Sequence, residues 1–323
     1  MGGELFVVFV LVIIFVTKLS VLISKTSCKS KVPMRGKVII VTGANSGLGF
    51  ETAKDLAKRG GRVIMACRNE HRALAARDLI IAETGNSGVV YKHLDMSSLA
   101  SVRRFVEDVT STEKRLDVLI NNAGVNGCGD RFTEDGIVEE MQVNYFGIFL
   151  LTLLLVPLLK KTGESRIVNV SSTLHFFGRI NFEHINKKGY YLDMFTYSNS
   201  KLCTVLFTVE LARKLKGSGV TVNAVHPGII MTNITAASCA LERLLFSSLC
   251  WISSRNVVEG AQTIIYLAVA KEVATTTGKY FIDCKESYMT RKTKNKKLIT
   301  DLWNYSEKLV GYEELKDQVT CQT

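Results

Sequence analysis

A tyrosine and a lysine four residues apart, in the segment Tyr197-Ser-Asn-Ser-Lys201, could together move a proton. Residues at this spacing share one face of a helix. A phenol has a pKa near ~10 in water, and a neighbouring ammonium favours the phenolate, so the pair predicts acid–base chemistry near neutral pH. Ser171 and Ser172 follow a β-branched run, Arg166 to Val170, and a hydroxyl there could hold a substrate oxygen. Alone, the tyrosine–lysine spacing is a weak pattern that an exposed helical pair also satisfies.

A second chemical feature is the glycine-rich stretch VIIVTGANSGLG, from Val38 to Gly49. Its β-branched start is typical of a buried parallel strand, and Phe50 to Arg59 continues as a helix. The spacing of its last three glycines, Gly43, Gly47 and Gly49, is G-x-x-x-G-x-G. Glycine lets the backbone approach a pyrophosphate, and free N–H groups at a helix start face it. The stretch therefore predicts a nucleotide-binding turn.

The residues after the second predicted strand, Arg62 to Ala66, indicate which dinucleotide is bound. NAD-binding folds place an acidic residue there to bind the ribose 2′-hydroxyl. Here Cys67 and Arg68 stand at that place. A carboxylate would repel a 2′-phosphate, whereas a guanidinium would bind it, so Arg68 favours NADP over NAD. The alternative is that Arg68 is a solvated loop residue.

The elements that must position these residues alternate between strand and helix. Further strands are predicted at Val89–Leu94, Asp117–Ile120, Val220–Val225 and Gly278–Ile282, with long crossovers between them. This order predicts an α/β fold with a doubly wound, Rossmann-type parallel sheet in a single domain, and ligands at the carboxyl ends of the strands. A very apolar helical stretch, Asp135 to Lys160, is interrupted by Asn144 and Pro157. We expect that stretch to be buried or to form a subunit interface, as in a homodimer, rather than to cross a membrane.

Composition narrows the classes of function. The 323 residues carry a formal net charge of +11, much of it in Lys25–Lys37 and Lys285–Lys297. No aromatic-interleaved basic stripe accompanies these clusters, so no nucleic-acid partner is predicted. The eight cysteines include no C-x-x-C pair, and the histidines lack metal-ligand spacing, so we expect neither a metal site nor a disulfide scaffold.

The N-terminus predicts a membrane anchor. Leu5–Val16 and Leu19–Ile23 together approach the ~20 apolar residues that a membrane helix needs, and lysines and arginines follow them. The positive-inside rule then places the rest of the chain in the cytosol. We predict an anchor at 1–24, a basic linker at 25–36 and a catalytic domain at 37–323, with the endoplasmic reticulum as the expected membrane. A cleaved signal peptide is the alternative, but no cleavage-site pattern follows the run.

Taken together, these motifs resemble the short-chain dehydrogenase/reductase family. TGANSGLG, NNAG, Asn144, the Ser-Ser pair, YSNSK and HPG occur in the family's order. Within it, ACRN, RIVNVSS, the stretch SKLCTVLFTVELARKLKGSGVTVNAVHPG and GKYFIDCK resemble the retinol dehydrogenase branch, which also carries an N-terminal membrane anchor.

The resemblance assigns roles to the catalytic residues. It implies that Tyr197 is the acid in reduction, that Lys201 binds the nicotinamide ribose, and that Ser172 polarises the substrate carbonyl. Ser171 remains the alternative to Ser172 if the register differs by one. Asn144 would complete a proton relay through a water.

The resemblance also assigns the cofactor contacts. Those expected at the phosphates are Gly43, Ser46, Gly47, Leu48 and Gly49. Those expected elsewhere are Arg68 at the 2′-phosphate, Asp95 at the adenine, Asn122 and Ala123 at the adenosine ribose, and Pro227, Gly228 and Thr232 at the nicotinamide. The catalytic residues Tyr197 and Lys201 are expected to bind the cofactor as well.

The resulting hypothesis is an NADP-dependent oxidoreductase, working in the reductive direction on a lipophilic alcohol or carbonyl, with retinol/retinal as the leading pair. The apolar segment Thr235–Ser253 would cover the substrate or pack as an ordinary core helix. Three alternatives stay open: a steroid or fatty-aldehyde reductase of the same family, a sugar-nucleotide epimerase, and a membrane-anchored scaffold that binds the cofactor. The glycine spacing disfavours the epimerase, and the full serine, tyrosine, lysine and asparagine set disfavours the scaffold.

Overall fold

The computed structural model describes residues 27–129, 131–187, 193–228, 230 and 255–312. The predicted anchor at 1–24, the segment Thr235–Ser253 and Thr232 lie outside these ranges. Eight strands form one sheet in the order β3-β2-β1-β4-β5-β6-β7-β8. All neighbouring pairs are parallel except β7 and β8, which are antiparallel. The prediction of a single doubly wound α/β domain is confirmed.

The first half of the chain alternates strictly between strand and helix. Its elements are β1 (Val38–Thr42), α1 (Gly47–Lys58), β2 (Arg62–Cys67), α2 (Glu70–Thr84), β3 (Val89–His93), α3 (Leu99–Thr112) and β4 (Val118–Asn121). All five residues of β1 and all four of β4 are buried, as expected for central strands covered on both faces. The sheet reverses its winding between these two strands, so a crevice opens at their carboxyl ends.

The second half carries the longer helices. It comprises α4 (Glu139–Met141), a π-helical turn (Gln142–Phe146), α5 (Gly147–Thr162), β5 (Ser165–Val170), α6 (Asp193–Lys214), β6 (Val220–His226), α7 (Val257–Val269), β7 (Tyr280–Ile282), β8 (Lys285–Ser287) and α8 (Lys296–Leu309). The sequence did not predict α7, β8 or α8.

Two apolar layers enclose the sheet. One contains residues of α1, α2 and α7, such as Leu56, Ala73 and Ile264. The other contains residues of α3, α5, α6 and α8, such as Phe149 and Trp303. Each layer removes apolar surface from water, which is the main favourable contribution to folding.

The long apolar helix confirms one expectation and corrects another. Among the described residues, Glu139–Thr162 is long and apolar enough to cross a membrane, yet most of it is buried in the protein. The predicted interruption at Pro157 is wrong, because α5 continues through it to Thr162. Proline removes one backbone hydrogen bond, and here the buried leucines around it hold the helix together. At Asn144 the helix does deviate, since Gln142–Phe146 is π-helical.

Candidate active site

The glycine turn presents a helix start to the crevice. Gly43 and Gly47 have φ angles of +65° and +56°, which glycine adopts without strain. Helix α1 begins inside the turn rather than at Phe50, and its first turn contains no acidic residue. Ser46, at the N-cap, makes no side-chain capping bond. Backbone N–H groups and the positive end of the helix dipole therefore suit an anion here.

Gly49 packs behind this turn and does not line the cleft. A Cβ atom on Gly49 would lie 2.3 Å from the Gly43 carbonyl oxygen and 2.6 Å from Nδ2 of Asn122. No real side chain fits at those distances. Gly49 thus lets α1 approach the end of β1, which shapes the turn.

Thr42 links the glycine turn to the end of β4. The sequence analysis did not single out this residue. Its Oγ1 accepts hydrogen bonds from the backbone N–H groups of Asn122 and Ala123, both at 2.9 Å. The Asn122 side chain donates from Nδ2 to the Thr42 carbonyl at 2.9 Å. The threonine directly before the first glycine, with Asn122 after β4, could have indicated this link.

Most of the predicted cofactor residues surround one cleft of about 310 Å³. Those that line it are Gly43, Ser46, Gly47, Leu48, Arg68, Asp95, Asn122 and Ala123. Residues that line it without having been predicted include Asn45, Asn69, Arg72, Gly124, Val125 and Val143. The structure therefore brings together the ends of β1, β2 and β4, as a dinucleotide site requires.

Two guanidinium groups stand at the β2 end of the cleft. Arg68 is 61% exposed, and its Nη1 lies 3.9 Å from Oδ1 of Asp95. Arg72 also lines the cleft, in the first turn of α2. Arg72 stands four residues after Arg68, and this spacing could have indicated a second phosphate-binding guanidinium in the sequence. Together they make this corner suitable for a phosphate.

Tyr197 and Lys201 both lie on α6, and the end of β5 faces them. The side chain of Ser172 acts on the Tyr197 hydroxyl and lowers its pKa. Lys201 is 3% exposed, and its Nζ donates to the carbonyl of Val170 at 3.2 Å. Ser171 instead donates its hydroxyl to the backbone carbonyl of Lys201 at 3.0 Å. Of the two serines, Ser172 is therefore the one that meets the tyrosine.

The expectation that Lys201 lowers the pKa of Tyr197 is wrong for this structure. Burial raises the pKa of Tyr197 well above its usual range, the charge of Glu140 raises it further, and the Ser172 hydrogen bond lowers it only in part. Lys201 Nζ lies 5.4 Å from the centre of the tyrosine ring. Burial lowers the pKa of Lys201 to about 8, against an opposing effect of Glu140. Tyr197 consequently keeps its proton at neutral pH.

Asn144 joins the catalytic pair to the cleft. Its Oδ1 accepts from the N–H of Val125 at 2.8 Å, and its Nδ2 donates to the carbonyl of Val125 at 2.8 Å and to Ser200 Oγ at 3.1 Å. A Cβ on Gly124 would lie 3.3 Å from Asn144 Oδ1 and 3.5 Å from Lys201 Nζ. Since Gly124 lines the cleft, both polar groups lie next to a residue of its wall, although neither Asn144 nor Lys201 lines the cleft itself.

His175 holds the loop after Ser172 in place. Its Nδ1 lies 2.6 Å from the Ser172 carbonyl, and its Nε2 accepts from the N–H of Thr290 at 3.4 Å. This network assigns a neutral ring with the proton on Nδ1. Burial also lowers the pKa of His175, which agrees with that state. The histidine therefore has a structural role.

The turn after β6 completes the site. Pro227 and Gly228 follow His226 at the carboxyl end of β6, beside β5, whose last residue Val170 is followed by Ser171 and Ser172. Gly228 has a φ of +93°, and Arg255 packs against it, 3.1 Å from where a Cβ would be. Arg255 also forms a bidentate ion pair with Asp283, with Nη2 2.9 Å from Oδ2.

Comparison with known proteins agrees with this geometry. The sequence profile of the short chain dehydrogenase family matches residues 37–242. Human retinol dehydrogenase 14 is 47% identical over 293 residues, covering 86% of this chain and 87% of that protein. Mouse retinol dehydrogenase 12 is 43% identical over 289 residues, covering 88% and 90%. The crystal structure of an uncharacterized Mycobacterium paratuberculosis protein is 33% identical, with a TM-score of 0.70, and the match covers 87% of this chain and 96% of that one.

Proposed function

Because the chain belongs to the short chain dehydrogenase family, we propose that it is an NADPH-dependent reductase of lipophilic carbonyl compounds, with retinal as its leading substrate. The observation that carries the proposal is that the side chains of Tyr197 and Ser172 interact, one helical turn from Lys201, which lies next to Gly124 of the cleft wall. A chain that only bound a cofactor would have no chemical need for this pair.

The described residues fit NADPH. The start of α1 suits the pyrophosphate, and Gly43 and Gly47 leave room for its approach. Arg68 and Arg72 suit the 2′-phosphate, which NADH lacks. We infer that Asp95 lies at the adenine and Asn122 with Ala123 at the adenosine ribose, with Pro227, Gly228 and Thr232 at the nicotinamide.

Bound NADPH would supply the hydride. Ser172 would hold the carbonyl oxygen of the substrate by a hydrogen bond, and Tyr197 would give that oxygen its proton. Lys201 would hold the nicotinamide ribose, while Asn144 would take part in returning a proton through a water. The raised pKa of Tyr197 suits the reductive direction, since the tyrosine begins each turnover protonated.

Exposed apolar side chains close in the chain to both catalytic hydroxyls support a lipophilic substrate. Phe176 and Phe177, which follow Ser172 closely in the chain, are 43% and 63% exposed. Met194 and Phe195 precede Tyr197 and are 53% and 40% exposed. Apolar surface gathered at a binding site favours a ligand of the same character.

The test uses the full chain in detergent, with loss of NADPH absorbance as the measure of turnover. All-trans-retinal, a steroid ketone and a long-chain aldehyde are compared, each with NADPH and with NADH. The proposal expects retinal to be reduced, and NADPH to be preferred. NADPH binding without reduction of any of the three compounds would contradict the proposal. Reduction of the steroid or the aldehyde alone would keep the family assignment but replace retinal with that compound as the substrate.

We further propose that residues 1–24 anchor the enzyme in the endoplasmic reticulum membrane with the catalytic domain in the cytosol. The sequence contains three N-glycosylation sequons, at Asn169, Asn233 and Asn304. Asn169 is buried in β5, whereas Asn304 is exposed on α8 and can report topology. A cytosolic domain predicts no glycan at Asn304 in expressing cells. A mass shift that endoglycosidase removes, and that Asn304→Gln abolishes, would contradict this orientation. A homodimer stays a prediction.

A further inference from the structure

Ser172 stands at the start of a short loop, 172–178, on which the position of its hydroxyl depends. It is the N-cap of a one-turn 3₁₀ helix, Thr173–Phe176, and its Oγ accepts a hydrogen bond from the N–H of Leu174 at 3.2 Å. A single helical turn of this kind is not stable by itself. The conformation of the loop, and with it the place of the Ser172 hydroxyl, therefore has to be fixed by contacts with the rest of the protein.

The end of the loop packs against α6, the helix that carries Tyr197. A Cβ atom on Gly178 would lie 2.6 Å from the Ser198 carbonyl oxygen and 2.7 Å from Cβ of Leu202. Only glycine permits so close an approach of two backbones. The loop is thus in direct contact with the helical turn that follows Tyr197.

His175 joins the first half of the loop to the segment 290–292. Its ring is fully buried, and Nδ1 lies 2.6 Å from the Ser172 carbonyl oxygen. Its Nε2 accepts a hydrogen bond from the N–H of Thr290 at 3.4 Å. The ring of Tyr280 packs edge-on against the imidazole, with 4.8 Å between the centroids. The imidazole therefore connects the backbone of Ser172 to a residue that lies far along the chain.

Lys292 holds the second half of the loop from the same segment. Its Nζ donates hydrogen bonds to the carbonyl oxygens of Gly178, at 2.6 Å, and Phe176, at 3.3 Å. Phe176 is the last residue of the 3₁₀ turn, so the ammonium binds a carbonyl at the end of the turn, where backbone partners run out. Hydrogen bonds from a charged donor contribute more to stability than neutral ones do.

We propose that Lys292 is a positioning residue for the reaction: by binding the far end of the loop 172–178, it sets where the Ser172 hydroxyl stands relative to the substrate carbonyl. This inference rests on the proposed function, in which Ser172 holds that carbonyl. Lys292 lies outside residues 37–242, the part of the chain that matches the family profile. The catalytic serine thus depends on a segment beyond that part.

The test compares Lys292→Met with the wild-type chain in detergent. Methionine keeps an unbranched apolar side chain but cannot donate to either carbonyl. With the loop loosened, kcat for retinal reduction should fall by about tenfold, because a displaced group at the reacting atoms slows the chemical step. NADPH affinity, followed by its fluorescence, should stay within about twofold, since no residue of the loop lines the cofactor cleft.

A double-mutant cycle separates positioning of Ser172 from general support of the fold. If Lys292 acts through Ser172, Lys292→Met should have little further effect on kcat in the Ser172→Ala background, where the hydroxyl is already absent. Lys292→Arg keeps a charged donor and should restore part of the rate. Lys294→Met removes an exposed lysine of the same 3₁₀ turn, Arg291–Lys294, and should leave kcat unchanged. Thermal melting checks that each variant is folded.

Two results would overturn the inference. One is a wild-type kcat in Lys292→Met. The other is a loss of kcat by the same factor with and without the Ser172 hydroxyl, which would show that Lys292 only supports the fold.

Failure of the proposed function is distinguishable from failure of this inference. If the wild-type chain binds NADPH but reduces no carbonyl compound, the proposed function fails. Hydrogen–deuterium exchange then tests the role of Lys292 by itself, because the amides of 173–178 should exchange faster in Lys292→Met but not in Lys294→Met. Equal exchange in the wild type and Lys292→Met would show that Lys292 does not fix the loop.

Discussion

The cofactor cleft is formed largely by main chain, whereas the catalytic end is formed by buried side chains. At the cleft, glycines with positive φ and the start of α1 face the space where phosphates would bind. At the catalytic end, Lys201, Asn144 and Glu140 are at most 3% exposed and are held by hydrogen bonds and charge. Among the described residues, Gly124 and Val125 line the cleft and also lie next to the catalytic residues, so they belong to both regions.

Because of this difference, substitutions are expected to impair the two regions in different ways. A main-chain site depends on close packing, so a single added methyl group can destroy it while removal of one side chain changes little. A buried polar network depends on each member, because a partner left without its hydrogen bond or counter-charge costs free energy. Substitutions at the two regions should therefore separate binding from chemistry.

The largest effect is expected at Ser172. Ser172→Ala removes the hydroxyl that meets Tyr197 and should lower kcat for retinal reduction by about 10²- to 10³-fold, as loss of one donor to a reacting oxygen does. NADPH affinity should stay within about twofold, which a fluorescence titration measures.

The neighbouring serine is the matched comparison. Ser171→Ala loses one hydrogen bond to the Lys201 carbonyl and should cost about 1 kcal/mol of unfolding free energy in urea, with a much smaller effect on kcat. If Ser171→Ala were the variant that lost turnover, the assignment of Ser172 would be wrong.

The next effect is expected at Gly49. Gly49→Ala places a methyl group against the Gly43 carbonyl and Asn122, which should cost about 3 kcal/mol of stability and weaken NADPH binding at least tenfold. Gly85→Ala, at a left-handed position with open space around it, should cost only about 1 kcal/mol and leave NADPH affinity unchanged. Equal NADPH affinity in the two variants would show that packing at Gly49 does not shape the turn.

The smallest effect is expected at the β2 end of the cleft. Arg68→Ala should weaken NADPH binding by about tenfold, because one charge-assisted hydrogen bond to a phosphate is lost. NADH affinity should not fall, since NADH has no 2′-phosphate. Arg77→Ala, farther along α2 and paired with Asp78, is the control for loss of a positive charge. A parallel drop for NADH and NADPH in Arg68→Ala would remove the argument for NADP.

The sequence predicted those features of the fold and site that local patterns determine. Alternating β-branched runs and helices indicated all seven parallel strands, and the glycine spacing indicated the turn. The family-like order of motifs led to eight of the residues that line the cleft. It also placed Tyr197, Lys201, Ser172 and Asn144 in one region, which the structure confirms as a spatial cluster.

What the sequence did not predict depends on contacts between distant parts of the chain. Helix α8 reads as a charged segment, and only its packing of Leu302 and Trp303 on α5 and α6 makes it part of the core. Glu140 looks like a solvated helix residue, yet it is buried and bound to the backbone of Gly127 and Cys128. The pKa of Tyr197 was misjudged for the same reason, because burial outweighs a lysine at the observed distance.

The central claim is that Tyr197 passes a proton to the substrate while the cleft binds NADPH independently of it. The most direct measurement is retinal reduction and NADPH affinity, made side by side on wild type and Tyr197→Phe. The account predicts that phenylalanine lowers kcat by at least about 10²-fold, with NADPH affinity within about twofold of wild type. Turnover by Tyr197→Phe at the wild-type rate would contradict it.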